Sequence, residues 1–146
     1  MKIFAGYCGV LRAQFYGMQL PARGEPVTRM RPRALMVPPG VPDFFSRHRI
    51  VDSGTVTLFG RAWSGASAIE LVEVGIDGDW LEGVLGEPVG EFAWRPWTFE
   101  WQAEPGEHVL SVRATDASGA AQPTEQPWNY QGMGNNWTQR VPVTVR

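Results

Sequence analysis

Two histidines, a lone cysteine and scattered carboxylates bound the chemistry that this chain of 146 residues can perform. His48 lies between Arg47 and Arg49, and His108 falls inside an alternating segment where a packed imidazole with satisfied nitrogens is the expectation. Neither stands beside a serine or cysteine nucleophile in a recognisable motif, and the chain contains no His-Glu-x-x-His, Walker or Gly-x-Ser-x-Gly pattern. Cys8, being alone, excludes an internal disulfide and a multi-cysteine metal site. Asp77 and Asp79 bracket Gly78 but lack the remaining ligands of a calcium loop, so they are expected to be turn residues. Hydrolytic chemistry has no support, and no catalytic, cofactor-binding or metal-binding residue is assigned.

Aromatic rings are the chain's other chemical resource. Seven tryptophans raise the prospect of stacking on sugar faces, although Trp94, Trp97 and Trp101 do not all share one strand face. Core packing and interface anchoring account for such residues as well. The densest mixture lies in Arg113–Arg146. Roughly 20 residues separate a strand ending near Asp116 from a last strand at Arg140–Val145, far more than the about 2–5 of an ordinary hairpin. Trp128, Tyr130, Met133 and Trp137 alternate there with Asn129, Gln131, Asn135 and Asn136, a composition that predicts an ordered loop touching something.

The elements that must position these residues read as strands. Thr55–Trp63 alternates, with Val56, Leu58, Gly60 and Ala62 on one face. Ile69–Ile76 repeats the pattern with one break in phase, consistent with a bulge, and Asp77-Gly78 forms a hairpin turn. Phe92–Trp101 and His108–Thr115 follow, joined by Glu104-Pro105-Gly106. Val27–Val37 is extended, but Pro32 restricts it to a sheet edge. The expected fold is an all-β, immunoglobulin-like antiparallel sandwich of about seven strands. Residues 1–24 are expected to form an arm or linker, and 25–146 the domain.

Composition agrees. Hydrophobic residues at 43% and charged residues at 19% describe a globular chain with a real core, and 17 glycines with 12 prolines imply many turns. The net charge of −2 hides an asymmetry: residues 1–50 carry eight basic side chains against two acidic ones, and the remainder is acidic. That acidity argues against nucleic acid as a partner. Met1–Leu11 imitates the start of a signal peptide but is interrupted by Gly6, Tyr7, Cys8 and Gly9, with no small-residue cleavage site following. No stretch approaches the length of a membrane span, so the default expectation for compartment is cytoplasmic.

Several fragments, in order, resemble the sulfite oxidase family of molybdenum-cofactor oxidoreductases: Thr28–Arg33, Pro38-Pro39-Gly40, Gly60–Gly65, Ala93–Trp97, Gln122-Pro123, Trp128-Asn129, Gly132, Asn135-Asn136 and Gln139-Arg140-Val141. The resemblance covers about residues 25–146 and corresponds to the family's carboxy-terminal dimerisation domain. It implies an immunoglobulin-like (E-set) fold and a role in assembly, as a homodimer or with a chain bearing molybdopterin, without catalysis by this chain alone. Cys8, in Gly6-Tyr7-Cys8-Gly9-Val10, does not match the family's molybdenum-ligand motif. The interface would draw on Trp128, Asn129, Tyr130, Met133, Asn135, Asn136 and Trp137. Where animal and plant sulfite oxidases carry an arginine two positions after Trp-Asn, this chain has Gln131, which brings no positive charge to an oxyanion; Gln131 and Arg140 are the expected pocket contributions. The alternative is a stand-alone immunoglobulin-like module that recognises sugar or peptide through exposed tryptophans.

Overall fold

The structure, a computed structural model, describes residues 29–90, 92–125 and 135–146. Among them the chain forms ten strands: β1 (Arg33–Met36), β2 (Val41–Pro42), β3 (Arg49–Val51), β4 (Gly54–Trp63), β5 (Ile69–Ile76), β6 (Asp79–Glu82), β7 (Val84–Leu85), β8 (Arg95–Ala103), β9 (Gly106–Asp116) and β10 (Gln139–Val145). They make two sheets, ordered β1-β4-β8-β7 and β2-β3-β10-β9-β5-β6.

The sandwich follows from period-2 alternation. Leu58 and Ala62 of β4, Trp97 and Trp101 of β8, Val72 and Val74 of β5, Leu110, Val112 and Ala114 of β9, and Val141, Val143 and Val145 of β10 all turn inward and are buried. Gly60 is required among them. A Cβ there would lie 1.9 Å from the Leu35 carbonyl oxygen and 2.7 Å from the Trp97 ring, so the missing side chain lets β1 and the largest core residue close on β4.

Three expectations need correction. There are ten strands, not about seven, because β2, β6 and β7 are only two to four residues long and too short to display alternation. The sheets are not purely antiparallel, since β3 runs parallel to β10. The ring-rich segment beginning at Phe92 joins β8 only from Arg95; Phe92 and Trp94 lie in the preceding turn, where the Trp63 indole donates to the Phe92 carbonyl at 2.7 Å and stacks on Trp94. Other readings hold. The break in β5 is a register shift between Ile69 and Leu71. β1 is an edge strand, although among the described residues of the expected segment Val27–Val37 only Arg33–Met36 is strand and Pro32 lies just before it; Asp77 and Gly78 adopt φ of 53° and 105°, as a two-residue hairpin needs.

His108 is tied on both ring nitrogens. Nδ1 lies 2.7 Å from the Asp77 carboxylate and Nε2 2.9 Å from the Glu104 carbonyl, so the β5–β6 turn and the β8–β9 turn are joined through one imidazole. Both partners are acceptors, and both nitrogens can donate only when the ring is protonated. The Asp77 hydrogen bond accordingly raises the His108 pKa, against the opposing effect of burial. Burial also works against ionisation of Asp77, but the Val109 N–H and His108 outweigh it and hold this carboxyl below its ordinary value.

The signs fix a pH window. His108 contributes stability in full below its unfolded pKa and loses it as pH rises through the raised folded value; Asp77 contributes above its unfolded pKa and loses it as pH falls through the lowered one. Urea denaturation across pH 3–9 is expected to show the His108→Gln variant falling short of wild type most around pH 5–6, with the gap narrowing toward alkaline pH. A gap independent of pH contradicts a protonated His108.

Candidate functional site

The long connection after β9 is built from a buried carboxylate and three amide side chains. Asp116, 1% exposed, accepts hydrogen bonds from Ser64 Oγ at 2.6 Å, Ser118 Oγ at 2.6 Å, Ser118 N at 3.0 Å and Ala120 N at 3.2 Å. Burial disfavours its charge, yet the Ser118 and Ser64 hydroxyls and the backbone donors keep its pKa below the usual carboxylate range. Gly119, at φ 81°, completes the turn. The chain then runs back beside β9, where Thr115 bridges Ala121 and Gln122 N donates to the Ala114 carbonyl at 2.9 Å.

From there Gln122 reaches across to β1. Its Oε1 accepts the Ala34 N–H at 2.7 Å, and its Nε2 donates to the Trp137 carbonyl at 3.0 Å. Thr138 N donates to the Pro123 carbonyl at 2.9 Å, so residues 122–123 and 137–138 pinch the base of the connection. A loop of this length is thereby closed at its neck by two hydrogen bonds.

β1 gains a substitute for a missing neighbour. Its odd-numbered residues face β4, as the bond from Val37 N to the Phe59 carbonyl at 2.9 Å shows, and the even-numbered amides point the other way. There Ala34 N meets Gln122 Oε1, and Met36 N meets Gln139 Oε1 at 2.9 Å. Asn136 Nδ2 donates to the Pro32 carbonyl at 3.2 Å, and Arg33 reaches the Asn135 carbonyl at 3.1 Å. An open strand edge is otherwise a template for aggregation.

Of the expected interface residues, Asn135 and Trp137 are exposed, whereas Asn136 is buried and its amide is spent on β1; its Oδ1 accepts no hydrogen bond among the described residues. Trp128, Asn129, Tyr130 and Met133 lie outside the described residues, as do Gln131 and Cys8. Arg140 is exposed, sits 5.6 Å from the Trp137 ring, and lines a cleft of about 460 Å³ with Asp77, Trp80, Ser111, Thr124 and Thr138. A guanidinium among hydroxyls can bind an anion, and the Asp77 carboxylate on the same lining opposes one. Arg95, by contrast, is used internally, donating to the Gly86 and Ile69 carbonyls at 2.8 and 2.7 Å.

Most described tryptophans are committed to the chain itself. Trp97 and Trp101 are core residues, Trp63 and Trp94 stack on one another, and Trp80 is covered by Arg113 at 4.2 Å, which in turn makes a bidentate pair with Glu73 at 2.6 and 2.8 Å. The described residues hold no group of three or more His, Cys, Asp and Glu able to bind a metal, and none of them is a cysteine. Their donor set does not fit a thiolate-bound molybdenum centre.

The described residues form an immunoglobulin-like sandwich whose β1 edge is clasped by side-chain amides. Structural similarity agrees: the chain superposes on the sulfane dehydrogenase SoxCD of Paracoccus pantotrophus with TM-score 0.65 and 22% identity, over 80% of this chain and 33% of that one. It also resembles the fibronectin(III)-like modules of Clostridium thermocellum CbhA, with TM-score 0.52 and 19% identity over 80% of this chain and 47% of that one. The sequence model of the Mo-co oxidoreductase dimerisation domain matches residues 34–146, and the chain belongs to that family. It is 42% identical over 107 residues to mitochondrial sulfite oxidase of Mus musculus, and 30% identical over 130 residues to nitrate reductase [NADH] 1 of Oryza sativa subsp. japonica. Those matches take in 66% and 82% of this chain but 20% and 14% of the relatives, so the chain spans a small part of their length.

The sequence reading placed Gln122 and Gln139 inside family fragments without assigning them a task, and gave to the interface Asn136, which is buried with its amide on the Pro32 carbonyl. An edge strand just after Pro32 that needs partners, together with amides at both ends of a long loop, is the signal that finds this clasp. Replacing Gln122 with Leu strands the Ala34 N–H and the Trp137 carbonyl, and is expected to cost about 1–3 kcal/mol in urea denaturation. Unchanged stability contradicts the clasp.

Proposed function

We propose that the chain is an assembly domain of a sulfite-oxidase-type molybdenum oxidoreductase, associating with a second copy of itself, with a cofactor-bearing chain, or with both, and not catalytic alone. Membership of the dimerisation-domain family over residues 34–146 carries this reading. In this reading residues 25–146 form the assembling unit, and the molybdenum cofactor resides on another domain or subunit. The association surface takes in the outer face of the six-stranded sheet and the loop that includes Trp128, Asn129, Tyr130, Met133, Asn135 and Trp137.

Toward a partner's substrate pocket the chain offers Gln131 and Arg140. A neutral amide at Gln131 supplies a hydrogen bond without charge, which turns the reading away from sulfite as the substrate, while Arg140 supplies a cation. No observation favours the sugar-binding alternative, because most of the described tryptophans are buried, stacked or covered. No helix among the described residues is long and apolar enough to cross a membrane.

Sedimentation equilibrium of the chain at micromolar concentration is expected to return twice the monomer mass, or a stable complex when a cofactor-bearing partner is added. A strictly monomeric species that also ignores that partner contradicts the proposal.

A further inference from the structure

One outer face of the sandwich departs from the usual apolar-in, polar-out alternation. An antiparallel sheet packed on one side commonly turns polar side chains outward on the other. The outer face of the four-stranded sheet instead carries Leu35, Val37, Phe59 and Val84, all exposed, with Phe59 at 50% and Val84 at 69%. Register groups the residues of this face into rows that cross the strands. Val37, Phe59, Thr98 and Val84 form one row, since Val37 N donates to the Phe59 carbonyl, Phe59 pairs with Thr98, and Thr98 with Val84. That row carries no charge.

Opposite charges stand in the rows on either side. Leu35, Arg61 and Pro96 make up one neighbouring row, and Thr57 and Glu100 the other. Thr57 Oγ1 donates to the Glu100 carboxylate at 2.7 Å, which draws the anion from β8 toward β4, the strand that carries Arg61. Arg61 and Glu100 form no ion pair among the described residues. The other two charged side chains of these four strands are engaged within the chain: Arg33 donates to the Asn135 carbonyl, and Arg95 to the Gly86 and Ile69 carbonyls.

This arrangement is self-complementary about a two-fold axis. Arg61 and Glu100 lie one row, about 7 Å, to either side of the uncharged row. An axis laid along that row, between two four-stranded sheets packed face to face, sets the Arg61 row of each copy over the Glu100 row of the other. Position across the strands is kept, so β4 lies over β4. Arg61 then comes down on Thr57 of the second copy, and the carboxylate that Thr57 holds belongs to the next strand, about 4.8 Å away. Val37, Phe59, Thr98 and Val84 meet their own counterparts on the axis. An axis along the strands would instead lay each charged row on its own copy, like charge beside like.

We propose that the outer face of the four-stranded sheet receives a second copy of this chain, with Phe59 packed on Phe59 at the axis and Arg61 of each copy paired with Glu100 of the other. This deepens the self-association part of the reading above and rests on it. The second copy gains a face of its own, and the outer face of the six-stranded sheet, on the opposite side of the sandwich, stays open to a cofactor-bearing chain. A contact that uses the same patch on both copies closes at two, where a one-way contact would run on into filaments.

Exchanging the charges in the full chain tests this face. Arg61→Glu and Glu100→Arg each set like charges opposite one another twice, and each is expected to weaken self-association about tenfold or more in sedimentation equilibrium at low salt. The double variant Arg61→Glu/Glu100→Arg restores opposite charges and is expected to return to within about threefold of wild type. An equimolar mixture of the two single variants is expected to recover a dimer for the same reason. Phe59→Ser is expected to weaken association about 30-fold or more, as loss of a central ring does. All three positions are exposed, and circular dichroism checks the fold of each variant. Single variants as tight as wild type, or a double variant no tighter than either single, overturn this face while leaving self-association standing. A wild-type chain that is monomeric overturns both.

Discussion

The structure depends on how the free side of one short strand is closed. β1 has a neighbour only in β4, and its outward amides at Ala34 and Met36 would meet no strand on the other side. Gln122 and Gln139 fill that place with side-chain amides, which carry the same acceptor and donor as a peptide group. The two glutamines flank the long connection, so the strand edge and the loop neck are satisfied by one set of bonds.

The clasp has consequences for the surface. Residues 122–123 and 137–138 fix where the loop leaves and re-enters the sandwich, and β10 then starts in register with β9 from Gln139↔Val112 onward. That register sets Arg140 opposite Ser111 on the outer face of the six-stranded sheet, beside Trp137. An inward-facing polar network therefore positions an outward-facing cation and ring. Assembly, the role proposed here, asks for such a surface to be rigid before a partner arrives.

Much of this architecture was legible in the chain itself. Alternation at Thr55–Trp63 and His108–Thr115 located β4 and β9, Asp77-Gly78 located the hairpin, and the segment around Pro32 was read as a sheet edge, where β1 begins one residue later. The shortest strands were not legible, because two residues such as Val41-Pro42 or Val84-Leu85 show no period and exist only through pairing with distant partners. The polar clasp was hidden for a related reason. Nothing in a lone glutamine says that its amide will replace a backbone neighbour 88 residues away at Ala34. Trp97 and Trp101 read as one ring-dense run with Trp94, and only the strand start at Arg95 separates buried rings from exposed ones.

Amide hydrogen exchange at Ala34 and Met36 tests the clasp most directly. If the side chains of Gln122 and Gln139 close this edge, both N–H groups exchange as slowly in the native protein as amides inside β4, and Gln122→Ala speeds Ala34 far more than Met36. Fast exchange at Ala34 in the unaltered chain, or equal acceleration of both sites, would contradict the account.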